Sequence, residues 1–208
     1  MNFIRQHWFD AGFILSFPVA AFILLHQLEP LDKLLWLSLI SLFLHQFEEY
    51  RYPGYFPGML NSVLFKSAQP DRYPLNTHSA LVVNVAVGWL FYFLAAWFGA
   101  AAIWLGIATL LVSTGNIFAH TLLFNLKGKT LYNPGMFTSI ALFLPIVACF
   151  LQMVISNGQA SSLDWITGIA LGAILNYAGI LKIIDLLKRE NSRYVFPARS
   201  LPPRQRQG

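Results

Sequence analysis

Charged residues are scarce in this sequence. Only 11% of the 208 residues are Asp, Glu, Lys or Arg, whereas a soluble domain has about a quarter of its residues charged. Hydrophobic residues make up 56% of the chain, and several apolar runs reach the length of about 20 residues that a helix needs to cross a bilayer. The composition therefore excludes an ordinary soluble domain and indicates an integral membrane protein.

Cysteine and acidic residues are also few. Cys149 is the single cysteine, which excludes an intrachain disulfide and a cysteine-rich zinc site. The chain has nine acidic residues, and two of them, Glu48 and Glu49, are adjacent at the end of a long apolar run. Carboxylates at membrane depth are costly and usually face a functional cavity. This pair is therefore the first candidate for chemistry.

The apolar runs predict six transmembrane helices in an all-α bundle. We expect residues 1–190 to form this six-helix transmembrane domain and residues 191–208 to form a disordered basic tail rich in Pro and Arg. The expected spans are approximately 8–28, 31–50, 79–98, 101–124, 134–155 and 165–187.

Basic residues orient this bundle. With six spans, all but two of the 14 Lys and Arg residues lie on one side, and the exceptions are Lys33 and Lys182. Loops rich in Lys and Arg stay cytoplasmic, so we expect both termini in the cytoplasm and the protein in a cell membrane, such as the inner membrane of a bacterium. Contact with anionic membrane lipids explains the charge without nucleic acid.

Four polar motifs converge on the cytoplasmic side of the predicted bundle. They are HQFEE (residues 45–49), His78, NIFAH (residues 116–120) and YNPGM (residues 132–136). The spans carrying His45 and His120 both run inward, and each imidazole lies about 10 Å from the charged boundary at about 1.5 Å per residue. The sequence therefore predicts that these motifs share one layer.

The HQFEE motif has the spacing of a metal site. His45 with Glu49 is an i,i+4 pair on one helix face, and zinc accepts imidazole nitrogen and carboxylate oxygen with one position left for water. We predict His45, Glu49 and His120 as ligands, with His78 as a second candidate for the third position. Zinc is the expected metal and iron the alternative. Glu48 would activate the water, although the two glutamates could exchange roles.

Asn116 and Tyr132 are the other catalytic candidates. Asn116 lies one turn before His120 and could hold a substrate oxygen, or it could form a polar contact between helices. Tyr132 could line the site, or YNPG could simply begin a helix. Residues 56–65 could form a short amphipathic helix that covers the site, or they could be a linker.

Three motifs resemble the membrane protein family named for its HXXEE motif. HXXEE begins at His45, a further histidine follows at His120, and YXPG begins at Tyr132. The resemblance covers approximately residues 45–135. It implies a family of unknown activity whose motif suggests metal binding or catalysis.

These observations favour a metal-dependent membrane enzyme, a hydrolase acting on a lipid or membrane-anchored substrate at the cytoplasmic face. One other enzyme hypothesis is a glutamate-based intramembrane protease, although the arginine of that class's motif is absent. Another is a di-iron oxidoreductase, although a di-iron site generally has more carboxylate and histidine ligands than this layer offers. A cation- or proton-coupled transporter is the alternative outside enzymes. The sequence leaves the oligomeric state open.

Overall fold

All regular secondary structure in the described part of the chain, residues 2–205 of a computed structural model, is helical. This confirms the predicted all-α class. Six long helices form a bundle, and a short helix lies between the second and third. The bounds are α1 (Asn2–Leu25), α2 (Pro30–Tyr50), α3 (Phe56–Met59, continued by a π-helical turn over Leu60–Leu64), α4 (residues 77–98), α5 (residues 103–128), α6 (Met136–Ser156) and α7 (Ser162–Leu187).

Local sequence signals set several helix boundaries. Asn76 begins α4 because its side-chain oxygen accepts hydrogen bonds from the N–H groups of His78 and Ser79, while the Ser79 hydroxyl oxygen accepts one from the Asn76 N–H. Ser161 and Asp164 form the same reciprocal pair at the start of α7. Gly99, at φ +52°, separates α4 from α5, a backbone conformation that favours glycine.

Four helices are long and apolar enough to cross a membrane. They are α1, α6, α7 and one helix of 52 residues, Thr77–Gly128, which the short 3₁₀ turn Gly99–Ala102 folds into α4 and α5. The remaining long helix, α2, is less apolar because it carries Asp32 and Lys33 at its start and the HQFEE motif at its end. Apolar residues therefore dominate four helices, and polar residues concentrate on α2.

The bundle has two ends that pack differently. At the first, which we call the glycine end, Gly168 and Gly172 bring α7 against Ile107 and Leu111 of α5 so closely that an added Cβ would lie less than 3 Å from them. The other end, which we call the site end, surrounds the C-terminal halves of α2 and α5. Its core is a separate cluster of mainly aromatic side chains, including Tyr50, Phe56 and Phe124.

The connection after α2 covers the site end. Residues 56–64 form a short helix as one sequence reading expected, and the Phe56 ring packs against His120 at 5.2 Å between ring centroids. Asn61 is fully buried and holds the rest of the connection through hydrogen bonds to the backbone of Pro70 and Leu75.

The chain after α7 follows a defined path, whereas the sequence predicted a disordered tail. The Phe196 side chain is buried and its N–H donates to the carbonyl of Asp71, while Thr77 N–H donates to the carbonyl of Tyr194. Arg199 donates to the carbonyl of Tyr50 at the end of α2. Aromatic side chains and backbone hydrogen bonds hold residues 194–201 against the bundle, which composition alone does not reveal. The last three residues of the predicted tail, 206–208, lie outside the described part.

Candidate metal centre

Three of the predicted ligands meet in one buried group. His45 and Glu49 come from adjacent turns of α2, and His120 comes from a π-helical turn of α5, Ala119–Leu123. Glu49 Oε1 lies 3.6 Å from His45 Nε2 and 3.3 Å from His120 Nε2. One donor atom from each residue lies within 4.8 Å of the others.

The outer face of His45 determines which of its nitrogens carries a proton. Its Nδ1 lies 2.9 Å from the hydroxyl of Thr138, and that hydroxyl lies 2.6 Å from Glu48 Oε2. A carboxylate only accepts hydrogen bonds, so the hydroxyl donates to Glu48 and accepts from Nδ1–H of His45. We therefore assign the proton to Nδ1, which leaves the lone pair of Nε2 facing Glu49.

The proton of the His120 imidazole also lies on Nδ1. Its Nδ1 lies 2.6 Å from Asn133 Oδ1. The amide of Asn133 cannot be turned around, because its nitrogen donates to the carbonyl of His120 and to Asn125 Oδ1, each at 2.7 Å. Oδ1 must then accept a proton from Nδ1 of His120, and Nε2 again presents a lone pair to Glu49.

Two imidazole lone pairs and a carboxylate oxygen therefore face one another in a buried space. Neither Nε2 has a hydrogen-bond partner within residues 2–205. A proton on Glu49 could be donated to only one of the two nitrogens, which leaves the other lone pair without a donor. A divalent cation satisfies all three atoms, and outer hydrogen bonds of this kind orient metal-bound histidines in proteins. The three residues are therefore able to hold a metal ion.

Glu48 has different surroundings from Glu49. Its Oε1 accepts hydrogen bonds from the Tyr132 hydroxyl and Phe137 N–H, and its Oε2 accepts from Thr138 N–H and the Thr138 hydroxyl. These donors include the first N–H groups of α6, where a carboxylate is favoured. The structure thus places Glu48 outside the His45–Glu49–His120 group, with both oxygens engaged, and its role as the base stays a prediction.

Tyr132 lies at the rim of this arrangement and binds Glu48 at 2.8 Å. Partial burial and then the neighbouring Glu48 carboxylate raise the pKa of Tyr132 above its ordinary value, so the hydroxyl stays protonated and donates. The geometry therefore shows Tyr132 supporting Glu48.

Asn116 and His78 lie in different places. Asn116 lines the cavity next to the group, together with His45 and Glu49, and one of its amide hydrogens donates to the carbonyl of Val112. His78 is half-buried at the start of α4, where its ring packs on Tyr194. The structure does not bring His78 to the other predicted ligands, because α4 places it beside the tail.

Sequence reasoning missed two residues of the outer contacts, Thr138 and Asn125, and it included Asn133 only as a member of the YNPGM motif. Their partners are distant in sequence, as His45 and Thr138 are separated by 93 residues. The YXPG glycine was the available signal. Gly135 has φ +99°, and a Cβ there would collide with the His120 ring, so this glycine lets the loop that carries Asn133 approach the imidazole.

An apolar cavity of about 540 Å³ adjoins the group, a size typical of small-molecule sites. His45 and Glu49 form part of its wall, and side chains of α4, α5 and α7 form most of the rest. Three asparagines interrupt the apolar lining: Asn84, Asn116 and Asn176.

The comparisons with known proteins point to one family. Comparison with curated proteins and with solved structures gives no match. A family model described as "Protein of unknown function with HXXEE motif" matches residues 36–150, more than half of the chain. His45, Glu48 and Glu49 are the residues of that motif here, and the resemblance expected from the sequence is confirmed. The chain therefore belongs to the family of proteins of unknown function with the HXXEE motif.

Proposed function

We propose that this protein is a metal-dependent membrane hydrolase. The observation that carries the proposal is the pair of buried Nε2 atoms, on His45 and His120, that face Glu49 without a hydrogen-bond partner. Three protein ligands leave a fourth position for water in tetrahedral zinc sites. A bound zinc ion would lower the pKa of that water toward neutrality, which generates a nucleophile.

The proposed topology has six transmembrane helices with both termini in the cytoplasm. The excess of basic residues in the loops and termini of one side supports it. In this orientation the metal group lies near the cytoplasmic face of a cell membrane. The adjoining apolar cavity suits a lipid or another membrane-anchored substrate, because hydrophobic groups are transferred there without exposure to water.

This chain's residues have two roles in the proposal. His45, Glu49 and His120 hold the metal, and Thr138 and Asn133 fix the two imidazoles with their Nε2 atoms toward it. Asn116 faces the same cavity and is placed to orient a polar oxygen of the substrate.

Metal content tests the proposal directly. We expect protein purified in detergent to contain one metal ion per chain by elemental mass spectrometry, and His45→Ala and His120→Ala to contain none. His78→Ala is the matched control, because His78 lies outside the group, and it should keep the metal. Wild-type protein that binds neither zinc nor iron after reconstitution would refute the metal site.

Hydrolysis is tested separately in nanodiscs of phosphatidylethanolamine and phosphatidylglycerol. We expect free fatty acid and lysolipid to accumulate with wild-type protein and not with Glu49→Gln, as measured by mass spectrometry of the lipids. Iron absorption bands without hydrolysis would favour the oxidoreductase hypothesis. Cleavage of a membrane-anchored peptide by metal-free protein would favour the glutamate protease, and cation flux in liposomes would favour a transporter.

A further inference from the structure

The two ends of α5 and α7 differ in how closely the helices approach. At the glycine end they are in contact, and the contact continues to Gly115, where an added Cβ would lie 2.7 Å from Asn176 Oδ1. Beyond Asn176 the helices diverge toward the site end, and the cavity occupies the space between them. Packing at one end thus produces a wedge-shaped gap at the other.

This gap opens at the outer surface of the bundle. Tyr177 and Leu181 of α7 line the cavity and are 65% and 49% exposed. Ala119 and Leu123 of α5 line the opposite side, and Phe65 lines the cavity after α3. Since α7 is long and apolar enough to cross a membrane, the exposed side chains of Tyr177 and Leu181 would face lipid in a bilayer. The opening is therefore continuous with the lipid-facing surface.

The cavity is divided by polarity along its length. Its deep end is formed by buried apolar and aromatic side chains, including Leu42, Tyr92 and Val112. Its middle carries His45 and Glu49 of the metal group, with Asn116 and Asn176. Each of these asparagines donates one amide hydrogen to a backbone carbonyl of its own helix, and Asn116 also interacts with His45. The second amide hydrogen of each can donate to a polar group inside the cavity.

A second, smaller cavity of about 320 Å³ lies at the mouth. Phe65, Leu181 and Ile184 line both cavities, so the two spaces adjoin. The smaller one is edged by Asp185, Lys188 and Tyr73, near the end of α7. The path from the deep end to the mouth therefore runs from apolar, through a polar belt at the metal group, to charged.

We propose that one acyl chain of a membrane phospholipid enters sideways between α5 and α7, with its ester at the polar belt and its head group at the smaller cavity. The order of apolar, polar and charged linings along the cavities matches that of a phospholipid, which has an apolar chain, an uncharged polar ester and a charged head group. The inference rests on the proposed membrane location and names the substrate class of the proposed hydrolase. Asn116 and Asn176 would bind the ester oxygens, which places the ester bond beside the metal group.

Photolabelling tests this path without requiring catalysis. Wild-type protein is placed in nanodiscs containing a phosphatidylethanolamine with a diazirine near the end of one acyl chain, irradiated, digested and mapped by mass spectrometry. We expect labels on the deep-end residues Leu42, Tyr92 and Val112, which are buried from the surrounding lipid. Labels restricted to outward residues of α5 such as Phe118 and Leu122 would overturn the inference.

A matched pair of variants tests the route. Leu181→Trp adds bulk at the opening, whereas Leu186→Trp makes the same change on the same helix at a residue that lines neither cavity. Both leucines are exposed, so neither change disturbs the core. Deep-end labelling should be lost in Leu181→Trp and kept in Leu186→Trp. Equal labelling in both variants would contradict access between α5 and α7.

Two further measurements separate phospholipid entry from fatty-acid binding and from the metal site. A free fatty acid with the same diazirine should not label the deep end, and labelling by it alone would replace the phospholipid with a fatty acid. Metal content is measured on the same samples. Deep-end labelling without metal would refute the hydrolase and keep the lipid path, whereas bound metal without deep-end labelling would refute the path and keep the metal site.

Discussion

The two faces of the last turn of α2 offer opposite surroundings to a carboxylate. On one face, Glu48 accepts four hydrogen bonds from N–H and O–H groups around the start of α6. On the other, Glu49 faces two imidazole nitrogens whose protons lie on their far sides. The first face is complete without a ligand, and the second becomes complete with a cation. The neighbouring glutamates therefore divide into an anchor and a proposed ligand.

The anchor also supports the ligand face. The Thr138 hydroxyl contacts both His45 and Glu48, so the position of α6 relative to α2 determines the orientation of the first imidazole. The loop before α6 carries Asn133, which orients the second. A single segment, residues 133–138, thus orients both histidines, and it includes Pro134 and Gly135 of the YXPG motif.

Replacing one carboxylate oxygen by an amide NH₂ group should have the largest effect, and a different effect on each of the two faces. In Glu48→Gln, the new NH₂ group points at existing donors and leaves at least one backbone N–H, of Phe137 or Thr138, without its acceptor. An orphaned buried donor costs about 1–3 kcal/mol, and the remaining hydrogen bonds lose a charged acceptor, so we expect a loss of about 2–5 kcal/mol of unfolding free energy. In Glu49→Gln, the amide can donate to one imidazole, so metal-free stability should be maintained while metal binding is lost.

Thermal unfolding of the metal-free proteins in detergent and metal titration of the folded proteins check this pair. The comparison would fail if Glu49→Gln destabilised the metal-free protein as much as Glu48→Gln. It would also fail if Glu49→Gln bound metal with wild-type affinity.

Gly135→Ala tests whether the loop must approach His120 closely. The φ of +99° costs a non-glycine residue about 1–3 kcal/mol, and the added Cβ would displace the His120 ring. We expect lower thermal stability together with loss of metal binding. Gly158→Ala is the control, because Gly158 also has a positive φ, at +58°, but nothing lies within 4 Å of its added Cβ. The control should lose stability and keep the metal, and loss of metal in both variants would contradict the explanation.

Thr138 connects the two faces, and its removal should weaken metal binding without abolishing it. Thr138→Val keeps the shape of the side chain and removes the hydroxyl between His45 and Glu48. Loss of such an outer contact typically reduces metal affinity about 10–100-fold. Thr138→Ser restores the hydroxyl and should restore the affinity, as measured by competition with a metal-binding dye. Equal affinities for the Val and Ser variants would show that the hydroxyl does not orient His45.

Sequence analysis predicted the parts of this site that depend on helical periodicity. The pairing of His45 with Glu49 follows from their i,i+4 spacing, and the depth of His120 followed from counting residues to the charged boundary. The structure brings these three residues together. The all-helical fold was equally predictable, because apolar runs of membrane-crossing length form helices.

The contacts that distinguish Glu48 from Glu49 were not predictable from spacing. Both residues fit the face that carries His45, and only the position of α6 shows that Thr138 and the backbone of Phe137 occupy one side. His78 was placed in the polar layer by depth alone, although depth does not specify direction around a helix axis. Burial of Phe196 by the connection likewise depends on tertiary contacts.

Tyr132→Phe should produce the smallest change. The substitution removes one of the four donors to Glu48 and leaves Phe137 N–H on the same oxygen. Because Tyr132 is 41% exposed, water can replace its hydroxyl, so we expect a loss of about 0.5–1.5 kcal/mol in unfolding free energy and unchanged metal affinity. The rate of lipid hydrolysis, measured on the same protein, distinguishes a role of Tyr132 in holding Glu48 from a catalytic role. A small decrease that parallels stability places Tyr132 with the anchor, whereas a large decrease at full metal content would make it a catalytic residue, as the sequence analysis expected.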